Sequence, residues 1–353
     1  MLVLEKDKTP LHAAVDSVFD KNTADFWLQK INPLWSVYQP LGKVTKKEQV
    51  AIDLVSLTLQ VNRHFKFGLA GHHHPVYVVV DGVRYERSYS LTRSDAQHVL
   101  LNVKKVENGV VSTQLTESTQ VGDIVEFGQP FGDMTLAETK TSLLLLAAGS
   151  GITPMLSMLE AVAAEKNPNS VAIELMYWVK TSEDAAFKQR FEQFTQLLPN
   201  FKFQIFYTQQ GDARLNQAHA EQCTDLENTA VYACGPSGFV TTAERVFAAA
   251  AEVKTEAFSL SEFVSDEEGF IQVTLTKSNQ TISISKGQSI LVGLEQQNIK
   301  PKHGCRMGIC NKCACNKAEG ATKNLVNGTQ NKEPGNLLKI CVNSAQTDLV
   351  IDL

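Results

Sequence analysis

Five cysteines, Cys305, Cys310, Cys313, Cys315 and Cys341, crowd the end of this 353-residue chain, while Cys223 and Cys234 stand apart. Met1 to Phe19 lacks the continuous apolar run of a secretory signal, so such clustering favours metal ligation over disulfide bonding. The spacing Cys305-x4-Cys310-x2-Cys313, with Cys341 after 27 intervening residues, is one that holds a two-iron, two-sulfur cluster. Structural zinc is the rival, but zinc sites pair two short ligand hooks, whereas here three ligands share one loop and the fourth is distant. Gly304 and Gly308 let backbone amides turn toward cluster sulfurs. Cys315 reads as a buried small hydrophobe at the start of a strand.

A second group of residues suits nucleotides. Arg87-Ser88-Tyr89-Ser90 offers a cation for phosphate, an aromatic face for a ring system and a hydroxyl for a ring nitrogen. Gly109 then leads into Ser112-Thr113-Gln114-Leu115, which reads as a helix N-terminus whose free amides can accept a pyrophosphate. Gly149-Ser150-Gly151-Ile152-Thr153-Pro154 follows an apolar strand and opens a helix, the order a dinucleotide site requires. Its glycines permit close backbone approach, Thr153 can donate a hydroxyl, and Pro154 suits a first helical turn. A later strand runs into Cys234-Gly235-Pro236. Beside Lys180 and Arg214 no acidic residue reads as a partner for a free ribose 2′-hydroxyl, which points to NADPH, with NADH the weaker choice.

On these motifs residues 267–353 look like a plant-type ferredoxin domain, with Cys305, Cys310, Cys313 and Cys341 as implied ligands. The preceding part resembles the ferredoxin-NADP reductase family, in the subgroup of oxygenase and desaturase reductases with a C-terminal ferredoxin; the resemblance covers nearly all of residues 44–353. It implies that Arg87 holds flavin phosphates, Tyr89 stacks on the isoalloxazine, Ser90 sits near its reactive nitrogen and Ser112 binds pyrophosphate. It also places Cys234 near the nicotinamide, without making it a nucleophile. Gly128-Gln129-Pro130-Phe131-Gly132 matches the turn such barrels use before the nucleotide domain. The second phosphate-binding segment at Ser112 favours FAD over FMN. Where relatives commonly read Pro-Gly-Gln, this chain has Ala70-Gly71-His72-His73-His74; alternate residues of a strand face opposite ways, so a solvated or flavin-edge histidine is expected rather than a metal site.

These residues need three scaffolds. Short alternating strands from Val50, punctuated by Asp81-Gly82 and Asn108-Gly109, predict an antiparallel flavin-binding barrel over residues 44–137, behind a helical leader over 1–43 that packs on the body. Strands such as Leu143 to Leu146, Val171 to Tyr177 and Phe203 to Tyr207 alternate with helices, predicting a doubly wound nucleotide-binding α/β domain over 138–258. A polar, acidic linker at 259–269 precedes a β-grasp-like ferredoxin domain over 270–353.

Hydrophobic residues at 43%, charged residues at 20% and no apolar run of about 18 residues exclude a membrane-spanning helix and suggest a cytoplasmic protein. A net charge of −5 gives nucleic acid no counter-surface. Residues from Glu267 onward nevertheless carry ten cations against seven acids. Lys300, Lys302, Arg306, Lys312 and Lys317 are expected to form a basic rim that docks an acidic partner or one beside anionic lipid. Hydride carries two electrons and the cluster takes one at a time, so a flavin must divide the pair. The expected acceptor is a protein: by the resemblance of Ile31-Asn32-Pro33-Leu34-Trp35-Ser36 a membrane fatty-acyl desaturase, with hydroxylases, ring oxygenases or hybrid-cluster proteins as alternatives. A small-quinone diaphorase and a redox sensor without turnover are the rivals in kind.

Overall fold

The computed structural model describes residues 21–353 except 108, 137–141, 166–170, 224, 260–268 and 327. The leader's Met1 to Phe19 and most of the 259–269 linker therefore lie outside the described residues. The rest of the leader forms a helix, Lys21–Ile31, whose Asp25 is buried under the following turn.

The barrel begins at residue 41, earlier than the apolar alternation suggested, because Leu41 and Val44 are inward-facing while the lysines between and after them are not. Its strands are β1 (Leu41–Ala51), β2 (Leu54–Val61), β3 (His73–Val80), β4 (Val83–Arg93), β5 (His98–Lys104) and β6 (Ile124–Phe127). They close in the order β1-β2-β5-β4-β3-β6. The stretch Ile52 to Leu59 is thus not one strand: Ile52-Asp53 turns a hairpin between β1 and β2. Inward Val44, Leu57, Leu59, Val76, Leu101, Val103 and Phe127 form the barrel core. Asp81-Gly82 turns the β3–β4 hairpin with both residues at positive φ, as such a two-residue loop demands.

The middle domain carries β7 (Ser142–Ala148), β8 (Ala172–Val179), β9 (Phe201–Tyr207), β10 (Thr229–Pro236) and β11 (Glu252–Ser259), all parallel in the order β11-β10-β7-β8-β9. Both faces are covered, so Leu143 to Leu146 are all buried and the strand reads as an unbroken apolar run. The chain order reverses between β7 and β10, and a crevice at such a switch point is where open α/β sheets take their ligands.

The last domain has β12 (Phe270–Leu275), β13 (Gln280–Ser285), β14 (Ala314–Glu319), β15 (Thr322–Asn324), β16 (Gln330–Asn331), β17 (Asn336–Lys339), β18 (Asn343–Ala345) and β19 (Leu349–Ile351). A mixed five-stranded sheet, β13-β12-β19-β14-β17, grasps the helix Ile290–Gln296. Cys315 is buried on β14, as expected, and burial pushes its thiol up to about 12.

Candidate functional site

Three domains meet around one strand. On β4, Ser88, Ser90 and Thr92 face away from the barrel core, and all three are buried. The Ser88 and Thr92 hydroxyls, with both polar atoms of Asn102 on neighbouring β5, have no hydrogen-bond partner among the described residues. Buried polar groups are nearly always paired, so this face fits a ligand that is polar at its edge. Tyr89 points the other way and packs its ring against the barrel core, where burial raises its hydroxyl pKa.

Ser90 Oγ lies 2.9 Å from His73 Nδ1, across the β3–β4 pair, in a buried contact. The other ring nitrogen, Nε2, meets the Glu256 carboxylate in a close ion-pair contact; the carboxylate is also buried, and neither of its oxygens has a hydrogen-bond partner among the described residues. Glu256 sits on β11 in register with Cys234 on β10. Ser90, His73 and Glu256 thus run in a line from barrel to nucleotide domain, ending beside a fully buried thiol whose pKa is raised by burial and then by Glu256. Phe258 closes the array with its ring edge-on to His73 at 6.0 Å. The three histidines divide as strand alternation requires. His73 faces this array, while His74 turns inward, stacks on Phe65 at 5.2 Å and is held by the Lys66 carbonyl. His73 is buried rather than solvated, and its partner Glu256, 183 positions away, had no local signal in the sequence.

At the switch point Gly149 has φ +55° and opens a short 3₁₀ turn, Gly149–Gly151, followed by the helix Ile152–Ala163. Thr153 and Pro154 stand in that helix's first turn. A Cβ on Gly151 would collide with the Cys234 carbonyl and the Gly235 amide, so the two nucleotide motifs touch and only glycine permits it. Pro236 ends β10 beside them. Lys104, unremarked in the sequence, reaches from β5 to within 3.9 Å of that Gly149 position while paired with Asp53 at 3.0 Å. Its signal was only a lysine closing an alternating strand.

Lys180 and Arg214 follow β8 and β9, are exposed, and have no side-chain partner among the described residues. Asp212, the acid of the same turn, is tied down by the Tyr207 amide at 2.6 Å. Ser112 behaves differently from expectation. The helix starts at Val110 with Gly109 as its cap, and the Ser112 hydroxyl donates to the Gly109 carbonyl and accepts from the Val106 amide, both at 3.1 Å. It locks the turn that presents the helix's amides.

The cysteine loop lies over the barrel. Cys305 and Cys310 exchange amide-to-sulfur hydrogen bonds at 3.3 and 3.4 Å, and the Cys313 and Cys341 sulfurs are 3.1 Å apart. Among the described residues no three ligands surround one ion; the four thiols form two pairs, the donor set two irons need. Within each pair the sulfur contact draws one thiol down, Cys310 and Cys313, and pushes its partner up, Cys305 and Cys341, as two thiols sharing one proton do. Arg87 lies against this loop: burial lowers its pKa first, then the charge of Arg306.

The basic rim does not form. Lys317 is buried and donates to the Asn331 carbonyl at 2.8 Å; Arg306 pairs with Glu295 of its own domain; Lys312 crosses to the barrel and pairs with Glu86 at 2.5 Å. Lys300, Lys302 and Lys312 of the five are exposed, but Lys312 is spent on Glu86, which leaves Lys300 and Lys302 as the exposed cations without such a partner among the described residues. Alternation on β14 turned Lys317 inward, and neighbouring acids captured the other two.

Comparison with known proteins accords with this geometry. Residues 41–136 match the family described as Oxidoreductase FAD-binding domain, 145–245 the Oxidoreductase NAD-binding domain and 273–343 the 2Fe-2S iron-sulfur cluster binding domain. The chain is 29% identical over 340 residues to an NADPH oxidoreductase of Mycobacterium tuberculosis, covering 93% of this chain and 88% of that protein. It is 26% identical to the phthalate dioxygenase reductase of Burkholderia cepacia, over 88% and 96% of the two chains. A solved structure of phthalate dioxygenase reductase superposes with a TM-score of 0.64, covering 89% of this chain and 97% of that one. The chain is an oxidoreductase in which an FAD-binding domain, an NAD-binding domain and a 2Fe-2S cluster binding domain follow one another, in the layout of phthalate dioxygenase reductase.

Proposed function

We propose that this reductase takes hydride from NADPH at the Ser90–His73–Glu256 array and delivers single electrons through the Cys305/Cys310 and Cys313/Cys341 pairs to an oxygen-activating partner protein in the cytoplasm. The observation that carries it is the convergence of all three domains on β4: His73 and Glu256 join barrel to nucleotide domain, and Glu86 and Lys312 join barrel to cluster loop. A flavin bound there supplies the chemistry that accepts a hydride and releases its electrons singly. The chain's own residues do the rest. Arg87 would supply a cation for its phosphate, the orphaned hydroxyls of Ser88 and Thr92 would offer hydrogen bonds to its polar atoms, and Phe258 with the buried Cys234 would exclude water from the site. Each hydride that leaves as two electrons leaves one proton behind. Glu256 accepts from His73 Nε2, His73 Nδ1 accepts from Ser90 Oγ, and that ordering lets Ser90 take a proton at Oγ while Glu256 gains one.

Lys180 and Arg214 favour NADPH: two exposed cations without side-chain partners among the described residues follow β8 and β9 and can meet a 2′-phosphate, while Asp212 is already engaged by the Tyr207 amide. For the partner, the leader motif favours a membrane fatty-acyl desaturase. A second reading, an oxygenase, is favoured by relatives named phthalate dioxygenase reductase and carnitine monooxygenase reductase subunit. Reconstitution with each partner class decides between them: desaturation of an acyl substrate supports the first reading, and ring or alkyl hydroxylation alone overturns it. Loss of NADPH-dependent ferricyanide reduction in the intact protein would overturn the reductase reading itself.

A further inference from the structure

Between Phe26 and Tyr38 the chain exposes more large apolar side chains than anywhere else of similar length: Phe26 at 55%, Trp27 at 65%, Ile31 at 74%, Trp35 at 50% and Tyr38 at 46%. In the helix Lys21–Ile31 the outward positions are 26, 27, 30 and 31, a single face, while Asp25 and Leu28 turn toward the body. The exposed face is not a frayed end. Asp25 accepts from the Ser36 hydroxyl at 2.7 Å and from the Val37 amide at 2.6 Å, and Ser36 Oγ in turn accepts from the Gln39 amide at 2.7 Å. From the loop after β2, Asn62 donates to the Leu34 and Gln39 carbonyls and His64 Nε2 sits 2.9 Å from the Ser36 carbonyl. A buried polar network therefore holds three aromatic rings of the tongue, Trp27, Trp35 and Tyr38, out in solvent, which a soluble protein avoids unless something covers them.

Charge says what covers them. From Phe26 to Pro40 the only charged residue is Lys30, and from Val61 to Pro75 the only ones are Arg63 and Lys66. All three are exposed, while the one acid of the helix, Asp25, is buried and spent on Ser36 and Val37, so the solvent-facing charges of these two stretches are cations in a chain whose net charge is −5. Tryptophan and tyrosine beside lysine and arginine are the side chains that settle at a lipid headgroup boundary. We propose that this tongue seats the protein on an anionic bilayer surface, with the rings entering the headgroup boundary and Lys30, Arg63 and Lys66 meeting lipid phosphates. The placement also serves electron delivery. β1 leaves the tongue at Leu41, which pairs with Glu126 of β6; Glu126 pairs with Tyr77 of β3, and Lys312 of the cluster loop sits over the Tyr77 ring. Tongue and cluster domain thus share one wall of the barrel, two strands apart.

The test uses the intact holoenzyme and vesicles of phosphatidylcholine, with or without one-third phosphatidylglycerol. Co-sedimentation is expected with the anionic vesicles, with a blue shift of tryptophan emission. Trp178 is buried and stacked on Phe206 at 4.6 Å, so the shift reads Trp27 and Trp35. Phe26→Glu/Trp27→Glu/Trp35→Glu should lower the vesicle-binding constant by at least about tenfold. Each reversal among Lys30→Glu, Arg63→Glu and Lys66→Glu should lower it about fivefold. All variants should keep NADPH-dependent ferricyanide reduction, which separates this inference from the proposed electron path. Equal binding by wild type and the aromatic variant overturns it. So does a tongue that merely dimerises, seen as a dimer that the aromatic variant splits while neither form binds vesicles.

Discussion

At the proposed hydride end, Ser90, His73, Glu256 and Cys234 are all buried; Ser90 is hydrogen-bonded to His73, and His73 meets the Glu256 carboxylate across the domain boundary. At the cluster end, Cys310 is half-buried, and the loop is fastened to the barrel by the Lys312–Glu86 pair, partly open to water. The contrast follows from what moves. A hydride and its proton need a dry, fixed geometry, whereas a single electron needs nearness and an edge that a partner protein can reach. A buried array tolerates no substitution, and an ion-paired seam can open and close.

The comparison is broken most severely at the cysteine pairs. Cys341→Ser removes one ligand of the second pair, and reduction of a protein acceptor should fall at least about a hundredfold with loss of cluster absorbance. NADPH-dependent ferricyanide reduction should survive, since the hydride end shares no residue with that pair. Retention of full acceptor activity would mean that electrons leave directly from the flavin.

His73 comes next. His73→Gln keeps a polar side chain between Ser90 and Glu256 but cannot pass a proton, so steady-state turnover should drop about a hundredfold, with an enlarged solvent isotope effect. His73→Ala goes further, stranding the Glu256 carboxylate without a partner, and should cost about 3–5 kcal/mol of stability by denaturant titration. An unchanged isotope effect in the glutamine variant would reduce His73 to a packing residue.

His74, its neighbour on the opposite face, sets an acid limit. Burial lowers its pKa from 6.5 to about 4. The unfolded chain therefore takes a proton at pH values where the folded one does not. Stability is whole above pH 6.5 and declines as the pH falls toward 4, by about 3 kcal/mol from this group. His74→Phe preserves the stacking on Phe65 and removes the titration, so its unfolding midpoint should be flatter across that range. A parallel decline in the variant would assign the acid sensitivity elsewhere.

Sequence made the two ends legible to different degrees. The 2Fe-2S domain was legible because three of the four clustered thiols proposed as ligands share one loop, and local spacing encodes local geometry. The parallel sheet was equally open, since Leu143 to Leu146 and the Gly149–Pro154 turn are contiguous. Glu256, Phe258 and Lys104 were missed because each joins the site only through strand pairing. The basic rim misled in part for the same reason: Glu86, which neutralises Lys312, lies 226 positions away, whereas Glu295, only 11 positions from Arg306, reaches it through the fold of its own domain. Ser112 shows how local such a signal is: a hydroxyl near a helix start bonds its own turn, here the Gly109 carbonyl and the Val106 amide, as readily as it meets a phosphate.

Arg214→Ala tests the far edge of the hydride end. Losing one of two cations should reduce the NADPH over NADH ratio of kcat/KM about tenfold, mostly through KM for NADPH. A preference for NADH in the wild type would overturn the assignment of Lys180 and Arg214.

The smallest expected effect belongs to the seam. Glu86 holds Lys312 strongly enough that, although burial works against the charge, its pKa is raised overall. The lysine is 42% exposed, so the pair is discounted for solvent screening and contributes about 0.5–1 kcal/mol. Lys312→Glu should slow electron transfer to the cluster only about threefold, measured by stopped-flow bleaching of the cluster, and the effect should shrink at high salt. Glu86→Lys combined with Lys312→Glu should restore the rate, because the reversed pair can still form across the same gap. If the single reversal instead abolishes transfer, the seam is as rigid as the hydride end and the contrast between fixed and yielding halves fails. If it accelerates delivery to a protein acceptor while slowing cluster reduction, the seam is the hinge on which the cluster domain turns toward its partner.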